Sequence, residues 1–63
     1  MSGRGQEAII EFRQVGEMMK VSAIDPETGI EVSVPMPINA ARADMIRLAV
    51  RKLEYVLKKG DNI

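Results

Sequence analysis

Three runs of alternating apolar and polar residues fill the first half of the chain, and one run of helical period fills the second. In the first run, from about Ala8 to Val15, Ala8, Ile10 and Phe12 point one way. Ile9, Glu11, Arg13 and Val15 point the other. In the second, Met18 to Asp25, the sets are Met19, Val21 and Ala23 against Met18, Lys20, Ser22 and Ile24. The third, Ile30 to Met36, sets Ile30, Val32, Val34 and Met36 against Glu31, Ser33 and Pro35. A period of two is the signature of strands with one covered face, so three strands are expected.

The connections must bring the apolar sets to one face, because a slip of one residue inverts a strand. A two-residue loop at Gly16-Glu17 pairs Val15 with Met18, Phe12 with Val21 and Ile10 with Ala23, and leaves Ile9 opposite Ile24. Glycine at the first central position is what a type II′ turn requires. For the second hairpin, a five-residue loop would set Ala23 against Glu31, on the wrong face. A four-residue loop, Pro26-Glu27-Thr28-Gly29, sets Ala23 opposite Val32, Val21 opposite Val34 and Met19 opposite Met36. Pro26 presets its own φ and Gly29 takes the left-handed position. Both registers agree, which predicts an antiparallel meander with the second strand in the centre and Pro35 on an edge strand, where a missing donor is tolerated.

Pro35, Met36 and Pro37 end the sheet, and a helix is expected over Ala40 to Lys59, with Asn39 as its N-cap and Gly60 closing it. Ile38, Met45, Ala49, Leu53 and Val56 form a central stripe expected to lie on Phe12, Val21 and Val34. Ile46, Val50 and Leu57 widen it on one side, and Ala41 and Leu48 on the other. That arc spans about 200° at roughly 100° per residue, wider than one three-stranded sheet can cover. The fold class is therefore α+β, a three-stranded antiparallel β-meander packed on one C-terminal α-helix. Residues 8–60 form the domain, residues 1–7 are expected as a disordered lead-in and 61–63 as a tail.

Length sharpens the meaning of the wide arc. A chain of 63 residues buries only about 60% of the surface that its unfolded form exposes, so small domains commonly need a disulfide, a metal or a partner chain. This one has no Cys and no His, which removes disulfides and ordinary zinc sites. A partner chain remains, and a homodimer or another protein partner is expected. With no run of apolar residues long enough for a membrane helix and no apolar leader, no membrane association and a cytoplasmic location are expected.

Net charge is zero and the sequence pI is about 6.2, whereas nucleic-acid-binding domains are usually basic. The charge is nonetheless uneven. Acidic residues dominate the strand half, and Arg42, Arg47, Arg51, Lys52, Lys58 and Lys59 make the helix half basic. Arg47, Arg51, Glu54 and Lys58 run along its solvent side, where Arg51 and Lys58 are spaced to meet Glu54. On the open sheet face Arg13 and Lys20 are the only cations, flanked by Glu11 and Glu31, with no aromatic platform for stacking bases.

Chemistry is sparse. Acid–base work falls to carboxylates, lysines or Tyr55, and Glu11 and Glu31 are separated by the central strand. Ser22 and Ser33 are expected to face each other across strands, without a base to activate either. The glycines form no phosphate loop. No catalytic residue, cofactor, metal or small-molecule substrate is expected.

Three runs, Ile10-Glu11-Phe12-Arg13-Gln14-Val15-Gly16, then Val21 through Gly29, and Leu48-Ala49-Val50-Arg51-Lys52-Leu53-Glu54-Tyr55-Val56-Leu57, resemble a family of short one-domain alphaproteobacterial proteins classed as a domain of unknown function. The likeness covers nearly everything from Ala8 onward. It implies a free-standing bacterial domain and carries no activity, cofactor or site residue. The functional expectation is binding without catalysis, by self-association or as a protein-interaction module. Its candidate surface is the helix flanks (Leu48, Val50, Tyr55, Leu57) and the outer sheet face (Ile9, Val15, Met18, Ile24). The alternative is a nucleic-acid-binding module using Arg13 and Lys20, or Arg47, Arg51 and Lys58.

Overall fold

The computed structural model describes residues 8–61, so the expected lead-in and most of the expected tail lie outside the described residues. The order is β1 (Ile9–Val15), β2 (Met18–Ile24), β3 (Glu31–Pro37) and α1 (Arg42–Asp61). The three strands form one antiparallel sheet in the order β1-β2-β3. Both expected registers are present. Phe12 pairs with Val21 and Ile10 with Ala23; Val21 pairs with Val34, Ala23 with Val32 and Met19 with Met36.

The first turn reverses the chain in two residues. Gly16 has φ of 61° and, among the described residues, only Gly29 shares a positive φ, so Glu17 keeps an ordinary backbone, as a II′ turn demands. The second turn is more elaborate. Asp25 is buried, and its Oδ2 accepts bonds from the Thr28 amide at 3.2 Å and the Thr28 hydroxyl at 2.7 Å. The same hydroxyl oxygen accepts from the Ile30 amide at 3.2 Å. Gly29, at φ of 80°, donates its amide to the Asp25 carbonyl at 2.7 Å, and the Asp25 amide donates to the Ile30 carbonyl at 2.8 Å. This is a single capped turn with Asp25 in the role of an N-cap.

The core consists of Val21, Ala23 and Val32 beneath Met45, Ala49 and Leu53. Ala23 and Ala49 are both fully buried, and their small side chains let the helix approach the sheet closely. The helix lies on β2 and β3. Phe12, expected under the middle of the helix, is half-buried at the core's margin, where the Arg42 guanidinium sits 4.3 Å from its ring centroid.

The helix begins later than expected. The Pro37 carbonyl accepts the Ala40 amide at 3.0 Å, which places Asn39 inside a β-turn rather than at a cap. The Ala41 carbonyl then takes the first helical bond, from the Met45 amide at 3.1 Å. Ile38, expected in the buried stripe, is displaced with that turn and is 43% exposed. At the other end α1 continues through Gly60 to Asp61; glycine lowers helix stability by about 1 kcal/mol and here does not end it.

Candidate interaction surfaces

Two surfaces follow from this fold: the sheet face away from the helix, and the flanks of α1. On the outer face, rows run across the strands. Ile9 stands beside Ile24, Glu11 beside Ser22 and Ser33, Arg13 beside Lys20 and Pro35, and Val15 beside Met18 and Pro37. The middle rows are polar and the ends apolar. A shallow hollow of about 400 Å³ occupies the middle, lined by Glu11, Phe12, Arg13, Lys20, Ser22 and Glu31. Within it the Ser22 and Ser33 hydroxyl oxygens are 3.0 Å apart, a mutual hydrogen bond. The expected serine pairing is thus in place, with one hydroxyl donating and the other accepting.

The apolar ends are open. Ile9 is 49% exposed, Val15 57% and Met18 43%, whereas Ile24 is half-buried. The helix flanks divide by the strand they overhang. Lys52 donates from Nζ to the Ser33 carbonyl at 2.9 Å, so the stripe of Leu48, Lys52, Tyr55 and Lys59 lies on the β3 side. Leu48 is 39% and Tyr55 64% exposed, with the Lys59 ammonium 5.7 Å from the Tyr55 ring centroid. The opposite stripe, Ile46, Val50 and Leu57, lies on the β1 side, the side from which Arg42 reaches Phe12. All three are half-buried, and Leu57 packs against the core. Leu57 is therefore part of the domain's own packing, while Ile46, grouped with Val50 by the helical period but not in the candidate surface, shares the stripe of Val50.

The two alternative sets of candidate nucleic-acid contacts lie on opposite faces of the domain, as their strand and helix positions imply. Arg13 and Lys20 project from the sheet face opposite the helix that carries Arg47, Arg51 and Lys58. Arg47 is held by Asp44 at 2.8 Å. Among the described residues the expected pairing of Arg51 or Lys58 with Glu54 is not formed, and all three side chains are exposed. Sequence reasoning missed the contacts of Asp25, Lys52 and Arg42. The first had a visible signal, Asp and Thr three residues apart around a proline, and the other two depend on how the helix is placed.

Together these features define a small α+β domain whose surfaces are apolar patches and solvated charge. The chain belongs to a family described as "Domain of unknown function (DUF6898)", whose model matches residues 5–60, which agrees with the sequence resemblance in its class, a domain of unknown function. No curated protein and no solved structure matches it. Among the described residues, no helix is long and apolar enough to cross a membrane.

Proposed function

We propose that this protein works by binding without catalysis, and that its first partner is a second copy of itself. The observation that carries this reading is the position of the helix. It covers β2 and β3 and leaves the apolar set of β1 (Ala8, Ile10 and Phe12) only half-buried at the core's margin. The apolar flank of α1, Ile46 and Val50, is half-buried on that same side. In a domain too small to support a large core, apolar surface left open on one side favours association. A cytoplasmic setting goes with a chain free of cysteine.

The test is mass in solution, by light scattering after size exclusion over a hundredfold dilution. A dimer is expected, and Val50→Glu should dissociate it without unfolding the domain. Leu57 is unsuited to this test because its half-buried side chain packs against the core. A monomer at every concentration would overturn the proposal.

A further inference from the structure

The two edges of the sheet are not equivalent. The Asp25 amide donates to the Ile30 carbonyl, and alternation along an antiparallel ladder then assigns the rest. Met19, Val21 and Ala23 exchange bonds with β3; Met18, Lys20, Ser22 and Ile24 exchange them with β1. On β3 the outward-facing backbone belongs to Glu31, Ser33, Pro35 and Pro37. Two of these are prolines and have no N–H to offer, and the Ser33 carbonyl is taken by Lys52. On β1 the outward groups belong to Ile10, Phe12 and Gln14. No proline interrupts that strand, and the helix lies over the other two strands. Natural sheets protect their edges with proline and lysine; here β3 carries two prolines and receives Lys52 from α1, and β1 has neither.

The sequence of β1 also complements itself. We propose that β1 pairs antiparallel with β1 of a second copy, about a two-fold axis through Phe12, to make one continuous six-stranded sheet. The inference rests on the self-association reading and names its interface and register. With Phe12 opposite Phe12, Ile10 stands opposite Gln14, and both pairs have outward-facing backbone groups, so about six hydrogen bonds form across the axis. On the outer face Glu11 falls opposite Arg13 of the second copy, and Ile9 opposite its Val15. The same pairs recur on the other side of the axis. Every outer-face residue of β1 thus meets a chemical complement, and the exposed Ile9 and Val15 cover each other. Moving the axis one residue either way sets Glu11 against Glu11 or Arg13 against Arg13, and like charges directly opposite are unfavourable. Such an axis is perpendicular to the sheet and keeps both helices on one face. Their Ile46 and Val50 flanks then face each other over the paired β1 strands, the part of the sheet that each helix leaves uncovered.

The test follows mass against concentration for the full chain and three variants, with circular dichroism as the check on folding. Glu11→Arg makes the outer face of β1 wholly basic and Arg13→Glu makes it wholly acidic. Each alone is expected to raise the dimer Kd about tenfold or more, and mixing the two variants in equal amounts is expected to restore dimer by heterologous pairing. Gln14→Pro removes an outward N–H together with the exposed bond from Gln14 Nε2 to the Gly16 carbonyl, leaves the β1–β2 ladder intact, and is expected to weaken the dimer about a hundredfold. If the wild-type chain is a dimer and both the charge variants and Gln14→Pro leave its Kd unchanged, β1 pairing is overturned and self-association through another surface stands. A wild-type monomer throughout overturns both. Charge variants that weaken the dimer separately but do not recombine on mixing would exclude this register.

Discussion

The two hairpins reverse the same sheet by different means. The first uses two residues and one backbone property, the positive φ of Gly16; its side-chain support is a single exposed bond from Gln14 Nε2 to the Gly16 carbonyl at 3.1 Å. The second uses a buried carboxylate, a hydroxyl that both donates and accepts, and a left-handed glycine. A tight turn can be specified by what the backbone is free to do. A longer loop has more conformations to exclude, and side-chain hydrogen bonds exclude them.

The largest effect that would break this contrast is at Asp25. Asp25→Ala removes both Thr28 bonds and leaves a donor unpartnered beside a buried position, which is expected to lower the unfolding free energy by about 2 kcal/mol. Urea denaturation followed by circular dichroism measures it, and a loss no greater than that of Gly16→Ala would erase the distinction between the turns. The glycines come next. A Cβ added at Gly16 or Gly29 meets nothing within 4 Å, so each alanine costs only the positive φ, about 1 kcal/mol. The two substitutions should therefore match within experimental error, and a much larger loss at one would reveal a constraint other than φ. Gln14→Ala is expected to have the smallest effect, under about 0.5 kcal/mol, since its bond is solvent-exposed. A larger loss would mean that the first turn also depends on a side chain.

The same contrast explains what could be read from the sequence. Parity arguments need only know which residues are apolar and how many the loop contains, and on that basis both registers, the central strand and the Ser22–Ser33 contact were within reach. The entry to the helix was not. Asn39 has the chemistry of a cap, but the bond from the Ala40 amide to the Pro37 carbonyl is a local alternative that sequence pattern does not rank against it. Nor does helical periodicity tell which strands a helix covers. The wheel gave the width of the apolar arc, while the lateral position of α1 depends on how two alanines, Ala23 and Ala49, bring helix and sheet together. That position packs Leu57 against the core, leaves Val50 half-buried beside it and brings Arg42 over Phe12. A list of apolar residues does not by itself separate those that the domain packs against its own core from those that it leaves at the surface. Sheet edges are made of backbone groups, and they become visible only when the strand order and the outward-facing positions are combined.

Pro35, Pro37 and Lys52 have a consequence beyond the single domain. A sheet that accepts strands at both edges can grow without limit, as fibrils do. With β3 occupied by prolines and a lysine, each copy has a valence of one. In the proposed pairing, chains joined at β1 would expose only blocked ends, so growth would terminate at the first encounter, and a closed pair rather than a polymer is the species expected even at high concentration.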